Sequence, residues 1–504
     1  MSEGSTKRVA KNTVIMYIRM IILMGISFYS SRLLLKTLGV EDFGIYSVVG
    51  SIASSFTAIK SLFSEAIQRF LNVAKGKKGD SIQEQTQIFN LSILVHVVLM
   101  VIFVIAVEVI GMWLLYNKLS IPDGRLGVAS WVLQMSIIST AISIISIPYD
   151  AVIIANEKMG FYAVISIIDG FLKLAFVLIL PFLGYDNLKE YSTLLVFIPI
   201  STLIIQFFYV NRFPECKYHA KYDKATFHEI MSLSGWNFVG NISFSLIHEG
   251  INMLLNIFGG VVSNAARAIA YQVKGVTGLL SSNTMVAVRP VVMQKSVQSD
   301  SNQYFNIINL ISRISFFTLL VPVIPLSVYC PQLLLLWLGD FPENAVLFTR
   351  ILLIGVLIRS LHEPINIMNM AFGKIKRMMI IESSVMILCL VMIYISLSLW
   401  RHIWIPFALM SIMELVIIIA LTWNAKKEIG FLLKEYYKEV GFPLLFLFTI
   451  SVIVGLLFFF FLNSGRIILM LINFSVLTLI IITLCYLFMN NTERNIVTKI
   501  IKKR

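Results

Sequence analysis

Apolar runs of about twenty residues recur from residue 13 almost to residue 489. They are separated by short polar or turn-forming stretches such as GKKGD (76–80), NKLSIPDGR (117–125), GDFPEN (339–344), FGKIKR (372–377) and LNSGR (462–466). A hydrocarbon layer about 30 Å thick is crossed by roughly 20 helical residues, and a helix satisfies its own backbone groups where no water can. The pattern predicts an all-α polytopic membrane protein with fourteen spans. These lie near 13–35, 44–70, 88–116, 126–149, 160–183, 191–210, 229–257, 265–290, 305–330, 345–371, 379–399, 403–423, 441–462 and 467–489.

Some spans carry polar stripes at helical spacing. In the seventh, Ser234, Asn237, Asn241, Ser245, His248, Asn252 and Asn256 follow one another at intervals of three or four, which is one helix face, and that face is too polar for lipid. The eighth carries Arg267, Tyr271 and Lys274 at i, i+4 and i+7, and Arg289 falls about 40° around the helix from Arg267. The second has a face of small residues, Ser47, Ser51, Ser54, Ala58 and Ser61, ending at Glu65. Close helix packing and cavity lining both account for such a face. Pro148, Pro181, Pro199, Pro322, Pro325 and Pro406 are placed to bend or end helices.

Composition agrees with the pattern: of 504 residues 58% are hydrophobic and 13% charged, with a mean hydropathy of +0.85. The first apolar segment is too long for a signal-peptide core and is read as a retained helix. The net charge of +14 is mostly a topology signal. The segments on the side of both termini hold 24 Lys and Arg and those on the other side six, which puts both termini in the cytoplasm. Nucleic-acid binding is excluded as a function class, since no basic soluble domain exists. The stretch AKKEIGFLLKEYYKEVGF (425–442) reads either as an interfacial helix against anionic headgroups or as a solvated linker. Cys216, Cys330, Cys389 and Cys485 are scattered, without metal-ligand or disulfide spacing.

An internal duplication is visible. Gly39 precedes Arg69 by thirty residues, and Gly259 precedes Arg289 by thirty. Two blocks of six helices share one orientation, and the basic stretch 211–229 falls where a linker belongs. The expected organisation is an N-terminal six-helix lobe over 1–211, a cytoplasmic linker over 212–228 and a C-terminal six-helix lobe over 229–425. Residues 426–504 then hold the interfacial helix, the last two spans and a basic tail.

A charge at the centre of a membrane helix costs about 2.5–3.5 kcal/mol on insertion scales, so each intramembrane cation needs an explanation. Asp169 with Lys173 and Glu65 with Arg69 are spaced i,i+4 and can neutralise each other. Arg19, Arg32, Lys60, Arg267, Lys274 and Arg289 have no such local carboxylate. Either Glu249, Glu382 or Glu414 reaches them across helices, or they line a wet cavity that takes an anion; Arg32 and Lys60 also have the option of snorkelling to an interface. Enzyme signatures are lacking. HEGIN (248–252) and HEPIN (362–366) miss the second histidine of a zincin helix, and the residues before Lys374 do not form a phosphate-binding loop.

The opening segment, with LGVEDFGIYSVVG (38–50) and AIQRFLN (66–72), resembles the bacterial polysaccharide flippases, the O-antigen and capsule repeat-unit translocases of the multidrug/oligosaccharidyl-lipid/polysaccharide exporter superfamily. The resemblance implies two six-helix lobes around a central cationic cavity, alternating access, no cofactor and no enzymatic activity. It further implies an undecaprenyl-diphosphate-linked oligosaccharide flipped outward across the bacterial inner membrane. Membrane lipids, a polysaccharide polymerase and glycosyltransferases are the implied partners. Substrate contacts would come from Arg19, Arg32, Lys60, Asn237, Asn241, His248, Arg267, Lys274 and Arg289, with Glu249 or His248 as ion-coupling candidates. Two other readings are an exporter of drugs or organic cations from the same superfamily, whose cavity should be lined by carboxylates, and a membrane-embedded polymerase or acyltransferase, which needs a larger outer loop than any here.

The charge asymmetry has a direct check. Green fluorescent protein fused after residue 504 should fluoresce, and alkaline phosphatase fused after residue 188 should be active; the reverse pair of results would invert the topology.

Overall fold

The computed structural model describes residues 3–55, 64, 67–68, 70–75, 81–217, 224–298, 301–462 and 466–502; side chains are described from residue 15 onward except at 81, 224–242, 282–284, 286–291, 293–298, 301–302, 496–497 and 499–502. The described residues contain no strand. Twelve of their helices are long and apolar enough to cross a membrane. Two of these, Ile15–Ser54 and Ser243–Ser281, run to 40 and 39 residues, about 60 Å each at 1.5 Å per residue and so two crossings apiece. A glycine breaks each one: Gly39 at φ 76°, ψ 172° and Gly260 at φ 68°, ψ −179°. A side chain at Cβ makes that backbone region essentially inaccessible to other residues. Twelve elements thus give the fourteen expected crossings. The duplicated break differs from the sequence pairing by one position, since Gly260 and not its neighbour Gly259 takes the turn.

By packing, the chain divides into two compact units, Met1–Ala265 and Ala266–Arg504. The first unit contains α1 (Glu3–Ser54), α2 (Ser81–Ala106), α3 (Met112–Asn117), α4 (Leu126–Ile145), α5 (Ile147–Ala155), α6 (Met159–Leu183), α7 (Asn187–Val210) and the first part of α8 (Lys224–Gln298). A π turn, Val107–Gly111, joins α2 to α3. Helix α1 packs on α6, and α4 on α7. Gly170 of α6 makes the first contact close: a Cβ there would come 2.8 Å from Leu23. Pro148 sits in the first turn of α5, while Pro181 and Pro199 lie inside α6 and α7.

Charged side chains tie the helix ends of this unit together. At one end Arg125 donates to Asp42, with Nε 2.9 Å from Oδ1, and to Asp186, which also caps α7 through the Leu188 and Lys189 amides. Burial works to raise the Asp186 carboxyl, but the Arg125 contact outweighs it and holds the group below its ordinary range. At the other end Lys75 donates to the Ala155 carbonyl and to Asn156 Oδ1 at 3.1 and 2.7 Å, and Asn156 donates to Glu215. The structure therefore gathers Asp42, Arg125 and Asp186 at one end and Lys75, Asn156 and Glu215 at the other, which fall on opposite sides in the charge count.

The second unit contains the rest of α8, α9 (Ser301–Val328), α10 (Cys330–Leu338), α11 (Ala345–Ala371), α12 (Ile375–Trp400), α13 (Ile405–Ile429), α14 (Leu433–Tyr436), α15 (Phe442–Phe461), α16 (Ile467–Phe488) and α17 (Asn491–Lys502). Pro322 and Pro325 lie inside α9, and Pro406 in the first turn of α13. Around residues 425–442 the chain turns at Gly430, makes the single turn α14 and passes through a π turn, Tyr437–Gly441, into α15. Helix α17 is anchored by Glu493, buried against Arg313, whose guanidinium also donates to the Glu439 and Phe488 carbonyls. All four cysteines are buried and free, and burial pushes the Cys216 thiol up to about 12.

Gly39→Ala and Gly260→Ala should each lower stability by about 1–3 kcal/mol through backbone strain alone, since neither site has an atom within 4 Å of the added Cβ. Gly25→Ala, in regular helix with equal room, is the control and should be neutral or stabilising. Thermal unfolding in detergent reads all three.

Candidate functional site

Among its described residues, Ser245, Asn252 and Asn256 of the seventh span's polar stripe make helix contacts within the first unit. Gly44 lets the second half of α1 approach so closely that a Cβ there would lie 2.0 Å from the Val261 carbonyl oxygen. Along that seam Asn252 Nδ2 donates to the Ser47 carbonyl at 3.1 Å, and the Ser245 hydroxyl donates to the Ser55 carbonyl at 2.8 Å. Asn256, fully buried, accepts from the Ser120 amide at 2.7 Å and donates to Asn264, which itself donates to both the carbonyl and the side chain of Asn252. The small-residue face 47–54 is thus used for close packing. Glu249 accepts from the Ser54 hydroxyl at 3.4 Å, and His248 packs on Phe244 with ring centroids 4.3 Å apart.

Among the expected cations of this unit, Arg19 is half-buried with its guanidinium 4.8 Å above the Tyr162 ring of α6. Its Nε is buried and makes no hydrogen bond to any described residue. Arg32 is exposed. Lys60 lies outside the described residues, as do Glu65 and Arg69 and the side chains of Asn237, Asn241 and Arg289. Asp169 accepts from the Thr202 hydroxyl of α7.

In the second unit the i, i+4, i+7 stripe of α8 is realised as a stack. The Arg267 guanidinium lies 4.1 Å from the Tyr271 ring centre and Lys274 Nζ lies 4.8 Å from it. Arg267 is buried, and the Tyr271 hydroxyl donates to the Met410 sulfur of α13 at 3.4 Å. Lys274 is within electrostatic reach of Arg359, Glu414 and Arg267. Those partners belong to an ionic network across α11, α12 and α13. Arg359 pairs with Glu414 and with Glu363, each at 3.0 Å. His362, wholly buried, places Nδ1 3.0 Å from Glu414 and Nε2 3.1 Å from Glu382.

A neutral imidazole offers one donor and one acceptor, while an ionised carboxylate only accepts. Both contacts of His362 can be hydrogen bonds only if the Glu382–His362–Glu414 set carries an added proton, on the ring or on a carboxyl. Sequence reasoning did not assign Arg359, His362 or Glu363. Their signal was HEPIN, a His-Glu pair inside an apolar span, and it was considered only as a metal motif.

Comparison with sequence models of protein families finds no match, and comparison with curated protein sequences finds none either. The fold does have solved counterparts. The lipid II flippase MurJ in an inward closed conformation superposes with a TM-score of 0.71 at 13% identity, covering 97% of this chain and 100% of that one. An inward-facing multidrug resistance MATE transporter of the MOP superfamily gives 0.66 at 13% identity, covering 85% and 99%. An outward-facing transporter of the same description gives 0.53 at 13% identity. The superfamily likeness read from the first seventy-odd residues is thus borne out as a fold over 85–97% of the chain, and the chain is a multi-pass membrane protein with that fold.

Removing one partner from a buried charge pair strands the other in low dielectric, a loss of about 3–5 kcal/mol. Glu414→Ala, which strips a carboxylate from both Arg359 and His362, should reach that range, with Glu414→Gln falling between it and the native protein. Thermal unfolding in detergent is the measurement; a loss below about 1 kcal/mol would show that the network is solvated.

Proposed function

We propose that the protein flips an undecaprenyl-diphosphate-linked oligosaccharide from the cytoplasmic to the outer leaflet of the bacterial inner membrane by alternating access. The observation that carries the reading is the Arg267–Tyr271–Lys274 stack, two cations held on one aromatic ring inside a membrane-spanning helix. A diphosphate crossing hydrocarbon needs its charge matched. Guanidinium donates several hydrogen bonds to phosphate oxygens, and ammonium binds them as a point charge. In the first lobe, 1–211, Arg19 plays the same part, its buried Nε supplying a donor that no described residue takes up. Lys60, Arg289 and the exposed Arg32 belong to the same proposed set, with Asn237, Asn241 and His248 offered to sugar hydroxyls. One structural counterpart, a lipid II flippase that matches 97% of this chain, supports a lipid-linked substrate.

An inside-negative membrane potential drives an anion outward by about 2.3 kcal/mol per charge per 100 mV, a motor that needs no nucleotide. Glu249 and His248 remain proposed coupling groups, and the Glu382–His362–Glu414 set adds a place to hold a proton. The polymerase and the glycosyltransferases of the same pathway are the proposed partners in the membrane.

A second reading, export of organic cations, draws on Glu363, Glu382 and Glu414, carboxylates gathered around the same buried site, and on the MATE transporters among the structural counterparts. Substitution separates the two. Arg267→Ala and Lys274→Ala should abolish surface polysaccharide while protein levels stay normal. Under the second reading they leave polysaccharide unchanged, and expression of the native protein raises resistance to cationic dyes.

A further inference from the structure

Helices α12 and α13 run antiparallel and in contact, and a groove of about 620 Å³ lies between them at the end where α12 begins and α13 finishes. Its walls are two helical stripes. Arg377, Ile380 and Ile381 come from α12 at i, i+3 and i+4, and Val416, Ile419, Ala420 and Trp423 from α13 at i, i+3, i+4 and i+7. Ile380, Val416, Ile419 and Trp423 are exposed, so the groove opens on the outer surface of this unit, where membrane helices meet lipid.

The mouth has the opposite character. Arg377 and Lys427 flank it, and Lys374, Lys376 and Lys426 lie on the same two chain segments, with Glu428 pairing with Lys374 and Arg377. Lys426 and Lys427 hold their ammonium groups 5.8 and 5.6 Å from the Trp423 ring centre. The first turn of α12 also points its free backbone amides at this end, with no side-chain cap at Lys374. Asn424 also lines the groove.

We propose that this groove is a binding site for one anionic phospholipid of the leaflet that the charge count assigns to the cytoplasm. An acyl chain lies between the Ile380–Ile381 and Val416–Ala420 stripes, and the phosphate sits between Arg377 and Lys427. Net positive charge at the mouth selects an anionic over a zwitterionic headgroup. The volume lies in the range that holds a drug-sized ligand, which suits one acyl chain and is too small for a long polyprenyl tail. The site is independent of the transport reading and shares no lining residue with the α8 stack.

Native mass spectrometry of the purified full chain, titrated with phosphatidylglycerol or phosphatidylethanolamine, tests it. The native protein should retain one phosphatidylglycerol in preference to phosphatidylethanolamine. The Arg377→Ala, Lys427→Ala double variant should lose about thirtyfold of that preference, on the scale of two basic residues at a membrane surface. Ala420→Trp fills the groove without touching its charge and should lower retention of both lipids; a melting temperature within the native range shows that each variant is folded. Equal retention by native protein and both variants would overturn the proposal. So would displacement of phosphatidylglycerol by inorganic phosphate, which would make this a free-anion site, or by an equimolar polyprenyl diphosphate, which would make it a substrate site.

Discussion

Hydrocarbon offers no hydrogen bonds and little dielectric screening, so a polar group placed at membrane depth has to be answered by another part of the protein, by a wet cavity or by a ligand. That constraint organises both units. In the first, the carboxamides of Asn252, Asn256 and Asn264 satisfy one another and the backbones of Ser47 and Ser120, which fixes the seventh span against the second half of α1. In the second, charges replace amides: Arg359 and His362 on α11 are answered by Glu382 on α12 and Glu414 on α13. Both arrangements also decide register, because a one-residue slip of either helix would bury a donor against hydrocarbon at several kcal/mol.

The crossings were legible because hydropathy is a local quantity, readable one segment at a time. The glycine breaks were nearly so. Two adjacent glycines, Gly259 and Gly260, are equivalent by composition, and only the backbone angles distinguish which one takes positive φ. Within the site, the Arg267–Tyr271–Lys274 spacing already specifies a shared helix face, and the stack follows from it. Of the partners of that stack, Glu414 was one of three candidate carboxylates, and only the structure singles it out beside Lys274. Periodicity reports that a face is polar but not whether it meets water, a ligand or another helix, and only the structure shows that the stripe's described end, Ser245, Asn252 and Asn256, is a packing seam. Arg359 and His362 were hidden for the converse reason: each stands alone in an apolar run, and its meaning lies in carboxylates on other helices.

The network changes what a cationic site means here. Arg267, Lys274 and Arg359 are set against Glu363, Glu382 and Glu414, so fixed charges of the two signs balance and the cluster is not a bare positive chamber. On the flippase reading, a phosphate near Lys274 competes with Glu414 for the same cations, and such competition allows release as well as capture. A site that held its phosphate with unopposed arginines would bind tightly and let go slowly; transport requires a smaller difference between the two states.

The proton on the Glu382–His362–Glu414 set then becomes the quantity that tips the balance. With it, the cluster is net positive and attracts an anion; without it, the fixed charges cancel. Two ligands that alter one electrostatic site are linked reciprocally, so anion binding and proton retention each favour the other to the same extent. On this reading the buried histidine is what turns a structural ion network into a site whose affinity for a phosphate can change during the cycle, without any change in which residues line it.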